Sequence, residues 1–208
     1  MYTPDHFNED RLDILHAVIE NNNFGLLIAQ VDGELVASHL PFLLDPARGP
    51  NGTLLVHMAR ANPQWPAFDG ELAALAVFYG PHAYVSPNWY EPGKNNVPTW
   101  NYIAVHCSGT PVLMEDAGYT VGHLRRLVDL QESRFDDPWS LSAMPENYVS
   151  GMAKGVVVLE IPIECIEGKA KLSQNRTPAD RSGVISALEK SPHSVDQRLA
   201  ASMRKFDG

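Results

Sequence analysis

Only two cysteines occur among the 208 residues, and no C-x-x-C pair is present. Cys107 and Cys165 each sit in strand-like sequence, so both are expected as buried free thiols rather than as a bridge or a metal site. The chain also lacks H-E-x-x-H, and its eight histidines are scattered without the short spacing that puts two on one ion, so no metal is assigned. Neither G-x-G-x-x-G nor G-x-x-x-x-G-K-[ST] is found, which argues against the dinucleotide and P-loop folds. No apolar run is long enough to span a bilayer, and the opening MYTPDHFNED has no basic and apolar leader; the expectation is a soluble, cytoplasmic protein with no membrane partner. Basic residues are scarce: 16 Lys and Arg against 25 Asp and Glu give a formal charge of -9. Binding driven by nucleic-acid phosphates needs the opposite balance. The deficit is uneven, however, because residues 1–153 carry 7 basic and 18 acidic side chains, whereas 154–208 carry 9 and 7. An anionic partner suits the C-terminal quarter better.

The composition is 44% hydrophobic, which at this length supports one sizeable core, and a single domain over 1–208 is expected. A first helix is read with Asn8 as its cap and Leu12, Leu15 and Ile19 on one face. Residues 24–31 and 34–44 flank Asp32-Gly33, a strong hairpin signal. Further short strands are expected at 53–58, 73–79, 102–109, 110–114 and 156–161, a spacing suited to a barrel or sandwich. Two helices form a helical insertion at about 116–154, one over 119–134 and one between Pro145 and Gly155. A last helix is expected at about 192–206. The fold class is therefore α+β, mainly β.

Residues 80–102, GPHAYVSPNWYEPGKNNVPTWNY, concentrate Tyr84, Trp89, Tyr90, Trp100 and Tyr102 among Pro81, Pro87, Pro92 and Pro98. The prolines stiffen the segment and are expected to keep it out of a central strand. Stiff rings suit a flat, partly polar ligand, but they serve equally well to cap a core. Three other constellations bear on that choice. Ser38 and His39 lie on the second hairpin strand, facing opposite ways. His57, Arg60, Ala61 and Asn62 gather at a strand end, where donors and one cation can meet a phosphate monoester, although any strand end can carry one Arg. Trp65, between Pro63 and Pro66, reads as packing. Residues 169–176, KAKLSQNR, offer Lys171, Gln174 and Asn175 on an extended segment that also reads as a solvated edge strand; a helix start follows at Thr177-Pro178.

The blocks ASHLPF, HMARANPQW, GPHAYVSPNWY, VPTWNY and GKAKLSQNR, in this order over nearly the whole chain, resemble the PaiB-type family of FMN-binding negative transcriptional regulators. Asn88 stands where Ser is more often expected, and Glu91-Pro92-Gly93 is a local variation. The resemblance implies a split β-barrel with peripheral helices, similar to the pyridoxamine-phosphate oxidase group, acting as a homodimer with flavin at the subunit interface. It implies FMN as cofactor. Ser38, His39, His57, Arg60, Ala61 and Asn62 resemble the ribityl-phosphate side; Tyr84, Ser86, Trp89, Lys94, Trp100 and Tyr102 resemble the ring side. Lys171, Gln174 and Asn175 are implied to complete the site across the dimer.

Three functions stay open on the sequence: a flavin-binding repressor, a flavin-dependent oxidoreductase acting on a small substrate, and a barrel without cofactor serving as an interaction module. No residue stands out as an acid or base. A helix-turn-helix is disfavoured, since residues 135–144 separate the two central helices. If DNA is a partner, the basic C-terminal segment is the surface to meet it.

Overall fold

The computed structural model describes residues 1–92 and 95–206. Its elements make a mixed α+β fold: strands β1 (Asn8–Glu9), β2 (Phe24–Val31), β3 (Glu34–Asp45), β4 (Thr53–Ala59), β5 (Ala74–Val85), β6 (Thr99–Gly109), β7 (Val112–Met114), β8 (Val156–Pro162) and β9 (Cys165–Lys171), with helices α1 (Leu12–Asn21), α2 (Ala117–Glu132), α3 (Glu146–Ala153), α4 (Pro178–Glu189) and α5 (Ser194–Lys205). They group into two compact units. A terminal unit holds residues 1–22, 78–106 and 167–208; a central unit holds 23–77 and 107–166.

In the central unit the start of β5 pairs with β2, and the strand order continues β2-β3-β4-β8-β7, with every one of these pairings antiparallel. The β2–β3 hairpin turns at Asp32 and Gly33, whose φ of 51° and 85° are what a two-residue turn between right-twisted strands requires. Leu43 and Leu55 on neighbouring strands receive Leu127 and Tyr119 of α2. Beside that contact, Glu160 of β8 is clasped by Arg48 through two hydrogen bonds of 2.6 and 2.5 Å and accepts the Tyr119 hydroxyl. Glu160 is buried, so its charge is tolerable only because the guanidinium and the phenol face it. The Arg48 hydrogen bonds hold its carboxyl below the usual range against the opposing effect of burial.

In the terminal unit the strand order is β1-β9-β6-β5. One face carries Ala83, Val85, Ile103, Ala170 and Leu172, on which α4 and α5 lay Val184, Ile185, Leu188, Leu199, Ala200 and Met203. Helix α1 approaches β9 so closely that a Cβ at Gly168 would lie 2.2 Å from Leu15 Cδ2.

Four expectations are corrected. Asn8 does not cap α1; it pairs with Lys169, and Glu9 Oε1 accepts the Arg11 N–H at 2.9 Å just ahead of the helix. The prolines do not keep residues 80–85 out of a strand: β5 runs through Pro81, because the fixed φ of proline is compatible with extended backbone and only one N–H is lost. Residues 169–173 are not solvated, since Lys169, Ala170, Leu172 and Ser173 are buried, with β9 lying between β1 and β6. Cys165 is exposed at the start of β9, while Cys107 is buried and its thiol is pushed up to about 12 by burial.

Candidate functional site

The central-unit candidates are tied into a turn. Asn62 follows β4, donates from Nδ2 to Ser38 Oγ (3.0 Å) and accepts the Gln64 N–H at Oδ1 (2.9 Å). Gln64 is fully buried and donates to the carbonyls of Leu27 (3.1 Å) and Val36 (3.3 Å), one on each strand of the hairpin. These two donations clamp the turn against β2 and β3, while Oε1 has no partner among the described residues. Gln64 was not among the expected site residues; its place between Asn62 and Trp65 in the ANPQW block was the available signal.

Arg60 hydrogen-bonds through its guanidinium to backbone carbonyls. Its Nε donates to the Lys154 carbonyl (2.9 Å), its Nη2 to that of Val156 (3.1 Å), and its guanidinium stands 5.9 Å from the centre of the Trp65 ring. The Trp65 indole N–H donates back to the Arg60 carbonyl at 2.9 Å. Ala61 is exposed beside it. Carbonyl acceptors do not neutralise a guanidinium, so Arg60 keeps its charge and several N–H groups for an anion.

The histidines differ from one another. His39 is exposed and stacks on Phe24, with centroids 6.4 Å apart. His57 places Nδ1 3.1 Å from Nε2 of His123 on α2. Burial lowers the pKa of His57, and burial first, then the charges of His57 and Arg126, holds His123 down to about 4. Both rings are therefore neutral near pH 7, with one N–H donating to the other ring. His57 brings a hydrogen bond to its surroundings, not a cation.

The terminal unit offers a different surface. Alternation along β5 and β6 turns His82, Tyr84, Trp100, Tyr102 and His106 away from the core face that carries Ala83, Val85 and Ile103. Trp100 lies 5.8 Å from the His82 ring and 6.3 Å from that of Tyr84, and more than half of it is exposed, at 52%. A cavity of about 450 Å³ opens on this face, lined by Tyr79, His82, Trp100, Tyr102, Ala104 and His106 among others. One ammonium group reaches a ring of this lining, and a second lies on the same strand. Lys169 Nζ stands 5.3 Å from the centre of Tyr102 and donates to the Tyr2 carbonyl (2.9 Å), while Lys171 Nζ donates to Thr99 Oγ1 (2.5 Å). Burial lowers the pKa of Lys171.

The remaining expected residues are engaged with the protein itself. Ser86 caps the short turn Pro87–Trp89 by accepting the Asn88 N–H, and Trp89 packs against the core of α4 and α5. Gln174 folds onto its own backbone, accepting from Leu172 N (2.7 Å) and donating to the Ala170 carbonyl (2.5 Å). Asn175 is exposed, and Lys94 lies outside the described residues. Helix α4 fixes the connector between β5 and β6: Asp180 Oδ1 accepts the Glu91 N–H (2.8 Å), and a Cβ at Gly183 would fall 2.1 Å from the Trp89 carbonyl oxygen. Arg176, not anticipated for the site, lies 4.7 Å from the centre of Tyr90 and donates to Asn96 Oδ1 at 3.0 Å.

An exposed ring face with an ammonium group beside it suits a flat, electron-poor ring system; a strand-end turn presenting a hydroxyl, an amide and an unneutralised guanidinium suits a ribityl phosphate. The antiparallel α+β fold is compatible with the class of flavin-binding proteins. Residues 1–165 match the family described as "Putative FMN-binding domain", and the chain belongs to that family. The protease synthase and sporulation protein PAI 2 of Bacillus subtilis (strain 168) is 31% identical over 203 residues, covering 98% of this chain and 96% of that protein. FMN is thus the cofactor of a PaiB-like flavoprotein.

Two solved structures share the fold alone. The FAD and heme binding protein from Mycobacterium smegmatis aligns with a TM-score of 0.58 at 14% identity, over 79% of this chain and 73% of its own. The flavocytochrome Anf3 from Azotobacter vinelandii aligns at 0.57 and 12%, over 79% and 69%. No helix among the described residues is long and apolar enough to cross a membrane, and no group of three or more His, Cys, Asp or Glu among them is placed to hold a metal ion.

Proposed function

We propose that this chain is an FMN-binding regulator of split-barrel architecture, working in the cytoplasm as a homodimer with the flavin at the subunit interface. The observation that carries the reading is the exposed face of Tyr84, Trp100 and Tyr102, whose strands bury their other side while the rings stay on the surface. We assign the isoalloxazine to that face, with Lys171 on the neighbouring strand; in the central unit, taken by itself, Ser38, Asn62, Arg60 and the N–H groups near Ala61 are the donors suited to a phosphate. His39, His57, Ser86, Trp89, Gln174 and Asn175 are further candidate residues for the flavin. Bound FMN supplies reversible one- and two-electron redox chemistry. The protein supplies a stacking surface, hydrogen bonds and charge.

Regulation is read from the family, and the helices limit how it can work. Helices α2 and α3 are separated by residues 133–145, too long a stretch for a helix-turn-helix. Contact with DNA, if it is direct, then falls to the basic C-terminal segment. Mass spectrometry of small molecules released on denaturing freshly purified protein tests the cofactor, and it should yield FMN. Gel shifts against salt test the DNA step, and no retarded band at low ionic strength refutes direct binding.

A further inference from the structure

Strand β2 reads F-G-L-L-I-A-Q-V, without the alternation of apolar and polar residues that marks an antiparallel strand with one solvated side. Such a strand is built to be covered on both sides. In the central unit it is covered on one: Leu27, paired with Ser38 and Ala76, and Ala29 are buried on the core side. On the other side Leu26 lies between Val77 and His39, and Ile28 between Leu75 and Ala37, and directly paired residues share a face. Three strands thus present one apolar surface. Leu26, Ile28 and Leu75 are half-buried in it, Ala37 and His39 are exposed, and Phe24 and Leu35 on its opposite ends stay 67% and 81% exposed.

Further along β3, alternation brings Leu43 to this same face, where Leu55 joins it and α2 covers both with Leu127 and Tyr119. The helix covers one end of the face and leaves the β2 end open. That open end carries no charge: β2 has no Asp, Glu, Lys or Arg, and the two acids of β3, Glu34 and Asp45, stand at its termini. The chain as a whole carries 25 acidic against 16 basic side chains, so two copies repel over most of their surface and meet at least cost where charge is absent. A partner of opposite charge would find no acid here to hold. A two-fold contact needs a patch that complements itself, and an uncharged apolar sheet face does so.

We propose that the open face formed by β2, β3 and the start of β5 is where a second copy of this chain packs, sheet against sheet. This assignment rests on the homodimer reading above and gives it a surface. Ile28, paired on both sides, lies at the centre of the contact, and Phe24 and Leu35 pass from solvent into an interior.

Sedimentation velocity over a concentration series reads the association of wild type, Ala37→Glu, Leu35→Glu and Ala37→Ser, with urea unfolding as the check on each fold. The wild type should be a dimer. Each Glu places two like charges in the contact, one per copy, and should weaken dimerisation by about a hundredfold. Ala37→Ser adds no charge and should stay within about threefold of wild type. Leu35→Glu decides the matter if Ala37→Glu does not fold, since Leu35 is open to solvent in the single chain. A wild-type dimer whose constant neither Glu changes overturns this face and leaves the homodimer reading standing. A monomeric wild type overturns both, and the face then belongs to an unlike partner. Flavin released on denaturation is measured in parallel: a dimer that the Glu variants dissociate but that carries no flavin refutes the flavin reading and upholds this contact.

Discussion

The two units present their chemistry in opposite ways. In the central unit the candidate polar groups are bonded to one another and to backbone: Asn62 to Ser38, Arg60 to two carbonyls, His57 to His123. In the terminal unit the candidate rings are placed by strand alternation on the sheet face opposite the one that packs against α4 and α5. A network sets direction and protonation but fails as a whole when one member goes. An alternating strand positions each ring separately, so one ring can be removed with little effect on the fold.

The largest effect should come from breaking the contact that supports the ring connector. Gly183→Ala puts a methyl group against the Trp89 carbonyl and should cost about 3 kcal/mol in urea unfolding, with loss of FMN retention. A mutant of wild-type stability would show that α4 does not hold the connector. Next is acid sensitivity of the network. His123 is held at about 4 in the fold against 6.5 unfolded, so no penalty exists above pH 6.5. As pH falls from 6.5 to about 4 the unfolded chain takes up a proton that the fold refuses, and roughly 2 to 3 kcal/mol should be lost. His123→Leu should flatten this slope in denaturant titrations between pH 4 and 7; an unchanged slope places the effect elsewhere.

Single-ring removal should be milder for the fold. Trp100→Ala should shift stability by less than about 1 kcal/mol and weaken FMN by about tenfold, read by flavin fluorescence. Arg60→Ala should weaken FMN to a similar degree and also destabilise the central unit by about 1 kcal/mol, because two hydrogen bonds to backbone carbonyls go with it. A tryptophan variant as destabilised as the arginine variant would erase the contrast between the units. The smallest perturbation is chemical: iodoacetamide should label Cys165 in the native protein and spare Cys107, with no change in stability.

The parts legible in the sequence are those whose physics is local. Asp32-Gly33 fixes its hairpin by turn chemistry, and α1, α2 and α5 show their buried faces as periodic apolar positions. The rings of 80–102 and the donors of 57–62 were visible as clusters. What stayed hidden depends on distant partners. Lys169 reads as a solvent residue, yet its ammonium lies near both the Tyr2 and the Tyr102 rings, and its backbone pairs with β1. Gln64 gains its meaning from two carbonyls 37 and 28 residues away, and His57 from a helix 66 residues further on. Pro81 disguised a strand because its cost depends on which N–H the neighbouring strand needs.

The hold of α4 on the connector carries a practical consequence for anyone trimming this polypeptide. The family match ends at residue 165, and a fragment cut there keeps Tyr84, Trp100 and Tyr102 in its sequence. It discards Asp180 and Gly183, which brace the loop joining the two ring-bearing strands, and Lys169 and Lys171 of the neighbouring strand. Such a fragment should retain the colour-bearing half of the recognition surface on paper and be colourless in the tube.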